Sequence, residues 1–210
     1  MANPTPAPST SPTPGSDLKT IVNVRSTPFC SSIAQHFNAA VEPMLSNDRS
    51  FGHVDTQLVD LNEVFKHGDY QIRYSNIRIK LMKYVADVQR NLPVMQQQIN
   101  QLRRGEALTQ DSNDARDIHQ IAEKLQLAYN KQMQLATDLT GVIHAMMDYQ
   151  PQGDADSYQN QLATAQMPQE MRDIKSYLRF DGQRTVIDEA ENAAADSAIT
   201  LVERSCAVNK

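Results

Sequence analysis

The chain has no tryptophan and only 7 glycines in 210 residues, and aromatic side chains make up 6% of it. Phosphate-binding loops and the nucleophile elbow of hydrolases both need glycines at fixed spacing. Neither G-x-x-x-x-G-K-[ST] nor G-x-S-x-G occurs. No apolar run approaches the roughly 18 residues of a membrane-spanning helix. The sequence therefore predicts no nucleotide-binding loop, no hydrolase elbow and no membrane span.

Metal and haem signatures are missing as well. There is no Glu-x-x-His, His-Glu-x-x-His or Cys-x-x-Cys-His segment, and these are the elements that bind di-iron centres, zinc and c-type haem. We therefore predict no metal, no cofactor and no enzymatic activity, with noncovalent haem ligation by Met and His as the weakest alternative. Three carboxylate and histidine pairs at i,i+4 are expected to be exposed on helix surfaces: Glu63/His67, His119/Glu123 and His144/Asp148.

The first 17 residues are a Pro/Ser/Thr/Ala tract whose only charged residue is Asp17. Such a segment cannot bury enough apolar surface to fold, so we predict a disordered linker over 1–17. It lacks the apolar region of a signal peptide, although tracts of this kind commonly follow a cleaved signal or lipid anchor. Residues 18–28 contain a short β-branched run and are expected to form an extended lead-in to a single domain over 29–210.

Helical spacing begins at Phe29. Two interleaved seven-residue series form an a/d seam, which indicates a long helix over about 30–66. Pro43 is expected to kink this helix, and a break at 46–50 with a new N-cap at Asn47 or Asp48 is the alternative. The two series are Phe37, Met44, Phe51, Leu58 and Phe65, and Ile33, Ala40, Asn47, Val54 and Leu61.

Two further long helices follow the same pattern, the first from the turn at 67–69 and the second from an N-cap at Ser112. After a helical segment at 168–180 and a turn at 181–183, an Ala-rich helix over 184–206 is expected to pack through Val186, Ala190, Ala194, Ile199 and Val202. Short turns between long helices predict an all-α, elongated, antiparallel up-down-up bundle with a shorter fourth helix. A free-standing coiled coil is the rival geometry.

Polar residues interrupt the apolar seams at similar heights on the three long helices. Asn47, Asn91 and Gln132 are therefore predicted to form a buried polar layer that sets the register of the bundle. Pro43 and Pro93 fall close to one level, which suggests a bend near this layer. A small-ligand pocket at the polar layer is the alternative functional hypothesis, and it predicts that Gln132→Leu stabilises the unliganded protein.

Charge is distributed unevenly between the second and third helices. The second is rich in basic residues, whereas the third is rich in acids, and we favour the interpretation that these flanks complement each other within the bundle. A basic interaction face at Arg78, Lys83 and Arg90 is the alternative. The net charge of −5 argues against nucleic acid as a partner. Another protein docking through a helix face remains the predicted partner class, and no oligomeric state follows from these patterns.

The chain's 2 cysteines lie at opposite ends of the predicted bundle. Cys30 begins the first helix and Cys206 ends the last, and these ends share a pole in an up-down-up-down bundle. We predict a Cys30–Cys206 disulfide, with two unrelated thiols as the alternative. A disulfide implies an oxidising compartment. Together these features predict a noncatalytic structural or protein-interaction bundle that is secreted, periplasmic or at the cell surface.

Overall fold

The computed structural model describes residues 20–63, 70–148 and 178–208. Within these ranges, four helices pack in chain order: α1 (Pro28–Glu63), α2 (Tyr70–Leu108), α3 (Ser112–Asp148) and α4 (Leu178–Leu201), with one π-helical turn at Val202–Cys206. The three long helices are each about 54–59 Å in length. The prediction of an all-α bundle with a shorter fourth helix is confirmed. The disorder predicted for 1–17 concerns residues outside the described ranges.

Helix α1 is continuous from its N-cap to Glu63. The Thr27 hydroxyl accepts a hydrogen bond from the Cys30 amide at 3.2 Å, and Pro28 occupies the first helical position, where its missing N–H is not needed. The helix runs through Pro43 without a break, so the alternative of a second N-cap at Asn47 or Asp48 is wrong. Packing of the following turns on the other helices holds the helix together there.

The apolar core has two parts, and the predicted seam residues of α1 are buried wherever their side chains are described. We call the part closer to the disulfide the near core and the other the far core. The near core contains Phe37, Met44, Met95, Leu125 and Ala194, and the far core contains Phe51, Leu81, Tyr84, Leu139 and Phe180. The predicted seam residues Leu58, Leu61 and Phe65 are outside the described side chains.

Three local predictions are wrong. The N-cap of α3 is Asp111, not Ser112, because the Asp111 carboxylate accepts hydrogen bonds from the backbone amides of Asn113 and Asp114 at 2.8 and 3.1 Å. Residues 181–183 are helical rather than a turn, since α4 starts at Leu178 and is anchored by buried Phe180. Ile199 is 44% exposed because the buried face of α4 runs instead through Ile187, Ala190, Ala194, Ala198 and Leu201.

The lead-in and the C-terminus meet beside the start of α1. Val24 and Ala207 form an isolated antiparallel β-bridge, and the Arg25 amide donates to the Cys206 carbonyl at 2.8 Å. Next to this bridge the Cys30–Cys206 disulfide is present, with a Cα–Cα distance of 5.5 Å. Both ends of the described chain are thereby fixed at one pole of the bundle. Among the described residues, no helix combines the length and hydropathy that crossing a membrane requires.

Candidate functional site: a buried polar layer between two apolar cores

A chain of amide hydrogen bonds crosses the bundle between the near core and the far core. Asn91 on α2 donates to Asn47 on α1 at 2.7 Å, and Asn47 donates to Gln132 on α3 at 2.7 Å. Gln132 in turn donates to the Glu191 carboxylate on α4 at 3.1 Å. The three residues predicted from the sequence thus lie together, and Glu191 extends the chain to the fourth helix. One hydrogen-bonded path therefore joins all four helices.

Beside this path lies a group of ionisable side chains that we call the mid-bundle cluster: Asp48, Arg184, Asp188 and Glu191. Oxygen atoms of its three carboxyl groups all lie within 4.8 Å of one another. Arg184 approaches Asp188 at 3.7 Å, and its guanidinium lies 5.1 Å from the centre of the Phe51 ring. Arg184, Asp188 and Glu191 are buried, with Glu191 fully inaccessible. Ionised groups in such a place need strong compensation.

The mid-bundle cluster contains three carboxyl groups and one guanidinium. Burial raises the pKa of Asp48, and a hydrogen bond to Glu191 and the charge of Arg184 only partly oppose this. The same surroundings raise the pKa of Tyr84, chiefly through burial and then through the charge of Asp48. If every carboxyl group were ionised, Asp48 Oδ2 would be a buried acceptor without a donor. Since two carboxyl groups share a hydrogen bond only when one is protonated, we assign a shared proton to Asp48 and Glu191.

The three carboxyl groups of this cluster carry excess negative charge when ionised, which a bound cation, an arginine or a proton can neutralise. Carboxylate oxygens at this spacing are the ligand type that Mg²⁺ and Ca²⁺ take. Arg184, however, already places a positive charge among them, and a proton between Asp48 and Glu191 removes one negative charge without any bound ion. Arg184 and a proton together would offset two of the three negative charges. Asp48 lies on α1 and the other three members lie on α4, so their contacts join these two helices.

Sequence reasoning missed the α4 members of the mid-bundle cluster. The packing residues predicted for that helix are all apolar, and Arg184, Asp188 and Glu191 are not among them. One signal was present: Arg184, Glu191 and Ala198 are spaced by seven, as are Ile187, Ala194 and Leu201. Ala198 and Leu201 are apolar seam residues near the end of the helix, and counting back from them in steps of seven places Arg184 and Glu191 on the same seam. A charged residue on a seam beside a predicted polar layer indicates a buried ionic cluster.

A second ionic group lies at the disulfide end, and we call it the pole cluster: Asp114, Asp117, Arg204 and Ser205. Arg204 donates to Asp117 at 2.7 Å and also to Asp114. Ser205 donates to Asp114 at 2.6 Å. The hydrogen bonds to Asp114 and Asp117 raise the pKa of Arg204. This cluster clamps the π-helical turn onto the start of α3, next to the disulfide.

The charged flanks of α2 and α3 meet at two places near the turn that joins them. Arg103 pairs with Glu123 at 3.0 Å, and His119 bonds to Glu106 at 3.2 Å rather than to Glu123. Further along α2, Lys83 and Arg90 both pair with Asp87 of the same helix at 3.2 Å. Arg78 is half-buried beside this stretch. The predicted basic residues are therefore distributed on and beside the outer face of α2.

No protein-family model matches this chain, and neither the curated proteins nor the solved structures contain a significant match to it. The inference of function therefore depends on the geometry of the described residues. Besides the buried polar groups, the described residues form two surface features that a partner or a ligand could contact. They are an exposed apolar and basic face on α2 and a shallow groove beside Pro93.

Proposed function

We propose that the protein is a noncatalytic interaction bundle, exported to an oxidising compartment either secreted or tethered, which docks a partner protein on the outer face of α2. The observation that carries this proposal is a stripe of exposed apolar side chains between exposed cations. We call it the α2 outer face and define it by Ile72, Ile79, Met82, Lys83 and Arg90. Exposed apolar residues that share one face of a helix are a common mark of a protein interface.

The apolar residues of the α2 outer face are exposed to an unusual degree for their type. Ile72, Ile79 and Met82 have exposures of 67%, 58% and 47%. Their spacing of seven and three residues puts them on one side of the helix, opposite the seam residues Leu81 and Val88. Side chains at this spacing are what a helix uses to receive the apolar face of another helix. The arrangement supports a helical partner segment.

Charge indicates what kind of helix fits. Residues 70–93 contain five basic side chains and one acid, in a chain whose net charge is −5. Lys83 and Arg90 are 77% and 73% exposed and share the single carboxylate of Asp87. A second copy would bring the same basic face against itself, whereas an acidic amphipathic helix would complement it. We therefore infer a partner with acidic residues flanking an apolar stripe.

The interior of the bundle supports a noncatalytic role. The polar side chains of the layer hydrogen-bond one another across all four helices, and the pole cluster holds the C-terminal turn. These groups stiffen a scaffold. The Cys30–Cys206 disulfide is consistent with an oxidising compartment, which supports the proposal of a location outside the cytoplasm.

The test places a photo-crosslinking amino acid at Ile79 and, as a control, at exposed Thr137 on α3. The partner captured at Ile79 is identified, purified and titrated against the wild type and the Lys83→Glu/Arg90→Glu variant. Reversing two exposed charges at an interface is expected to weaken binding about tenfold or more. The matched control, Arg49→Glu/Lys124→Glu, makes the same change in net charge elsewhere and should leave the affinity unchanged.

Two results would contradict the proposal. Equal capture from Ile79 and Thr137 would mean that the α2 outer face is not a preferred contact. An equal loss of affinity in both charge-reversed variants would mean that only the net charge of the protein matters. Capture of nucleic acid or lipid in place of protein at Ile79 would replace the proposed partner class.

A further inference from the structure

A shallow groove runs along the C-terminal half of α2, beyond the α2 outer face and on the surface side of the polar layer. Its volume is about 610 Å³, within the range of about 300–1,000 Å³ typical of small-molecule sites. The groove lies beside Pro93, where the sequence suggested a ligand site, although it does not include the polar-layer amides. It is lined by Gln89, Leu92, Pro93, Gln96, Gln97, Asn100, Gln101, Arg104 and Tyr129.

Amide side chains dominate the polar lining, and two of them are held in place. Gln96 and Gln126 exchange hydrogen bonds in both directions at 3.1 Å. Gln96 also donates to Asn100 at 3.3 Å, and Gln126 donates to Asn130 at 3.1 Å. This ladder of amides between α2 and α3 fixes Gln96 and Asn100 at the groove before any ligand arrives. Preorganised polar groups bind with a smaller loss of side-chain entropy.

Pro93 supplies a further acceptor. Proline has no N–H, so the carbonyl of residue i−4, which is Gln89, loses its usual partner in the helix. Gln89 itself lines the groove. The groove therefore combines amides that can donate and accept with Gln89, whose backbone carbonyl lacks its usual helical donor. Leu92, the Pro93 ring and Tyr129 provide an apolar surface beside these polar groups.

Arg104 gives the groove its charge. It is the one ionisable cation in the lining, which contains no carboxylate. Its neighbour Arg103 is paired with Glu123 at 3.0 Å, whereas no ion pair is found for Arg104 within the described part of the chain. A guanidinium at the end of an amide-lined groove is complementary to a ligand that carries a carboxylate.

We propose that this groove binds an acidic oligosaccharide. Hydroxyl groups both donate and accept hydrogen bonds, which matches side-chain amides and the Gln89 carbonyl. The C–H faces of a sugar ring can pack on Leu92, Pro93 and the Tyr129 ring, and the sugar carboxylate meets Arg104. The groove and the α2 outer face share no residue, and they meet where Gln89 of the groove precedes Arg90 of that face.

The experiment titrates isotopically labelled full-length protein with trigalacturonic acid and, separately, with neutral maltotriose, and follows the amide resonances by NMR. Saturable shifts are expected at groove residues with both sugars, and tighter binding with the acidic one. Arg104→Gln should weaken trigalacturonic acid binding about fivefold, the effect of one exposed ion pair, and leave maltotriose binding unchanged. Tyr129→Ala should weaken binding of both sugars.

The matched control is Arg103→Gln, which removes the same charge one residue away from a side chain already paired with Glu123. It should leave both affinities unchanged. If both arginine substitutions weakened binding of the acidic sugar equally, only the overall positive charge of this region would attract the sugar, and the proposal would be overturned. The absence of saturable shifts at millimolar sugar, or shifts confined to residues outside the groove, would overturn it as well.

Discussion

The mid-bundle cluster and the pole cluster both tie the C-terminal helix to the rest of the bundle, but they handle charge differently. At the pole, Arg204 lies between Asp114 and Asp117 with a hydroxyl donor from Ser205, and its side chain is 35% exposed. In the middle, Arg184 shares a buried site with three carboxyl groups. At the pole a serine hydroxyl supplies a further donor to Asp114, whereas in the middle burial raises the pKa of Asp48.

The contrast shows how burial changes the role of the same residue types. Solvent-accessible ion pairs contribute little and are tolerant of change. Buried ones are expensive to assemble and strongly destabilising to break. We propose that the mid-bundle cluster helps to set the register of the helices between the two apolar cores, while the pole cluster holds the C-terminal turn beside the disulfide.

The largest loss of stability is expected from removing the Cys30–Cys206 disulfide at the pole. The disulfide closes a loop with a sequence separation of 176 residues, for which the chain-entropy model gives about 5 kcal/mol as an upper figure. Cys30→Ala/Cys206→Ala should lower the urea midpoint strongly and increase hydrogen exchange first in the lead-in and the C-terminal turn, with the mid-bundle residues protected longer. An unchanged midpoint would contradict this account.

Matched arginine substitutions compare the two clusters directly. Arg184→Met leaves three buried carboxyl groups without a cation and should destabilise the fold by about 3–5 kcal/mol. Arg204→Met leaves the buried carboxylates of Asp114 and Asp117 without their shared donor. It should destabilise the fold by a smaller amount, about 1–3 kcal/mol, because Ser205 still donates to Asp114. Denaturant unfolding of both variants tests the order. Equal losses would mean that the buried cluster is not the more sensitive of the two.

A smaller effect is expected at the amide path. Gln132→Leu removes the acceptor of Asn47 and a donor to Glu191, and both groups are buried. We expect a loss of about 1–3 kcal/mol, the reverse of the stabilisation that the ligand-pocket hypothesis predicts from the sequence. Thermal unfolding measures the change, with exposed Gln134→Leu on the same helix as the control. A melting temperature above that of the wild type would support an unsatisfied polar layer instead.

The long helices could be predicted from the sequence because their apolar seams repeat over many turns, as with Phe37, Met44 and Phe51. Helix α4 could not be predicted in the same way. Its buried face includes Arg184 and Glu191, which look exposed by residue type and become buried only through partners distant in the sequence. The prediction at 181–183 is wrong for a similar reason. Asp-Gly is typical of turns, but the burial of Phe180 and Ile187 on either side keeps this stretch helical.

The groove illustrates a further limit of sequence reasoning. The proline near the polar layer indicated irregular backbone, but the lining of the groove depends on Tyr129 from α3 and on the amide ladder between two helices. The amide-rich stretch at 96–101 resembled ordinary solvent-facing helix. Only the pairing of α2 with α3 shows which of these side chains line a common surface.

We assigned a shared proton to Asp48 and Glu191 in the mid-bundle cluster. The most direct test is the free energy of unfolding as a function of pH for the wild type and Asp48→Asn, which keeps the shape and supplies a permanent donor. Because the pKa of Asp48 is raised in the folded state, its contribution is fully present below the unfolded pKa of 3.8 and is lost as pH rises through the folded value.

The wild type should therefore lose stability relative to Asp48→Asn as pH rises from about 4 through the raised pKa of Asp48, and the difference should then level off. A difference that is constant across this range would show that Asp48 titrates normally. A wild type that gains stability relative to the variant as pH rises would show an ionised Asp48 stabilised by Arg184, and either result would contradict the shared proton.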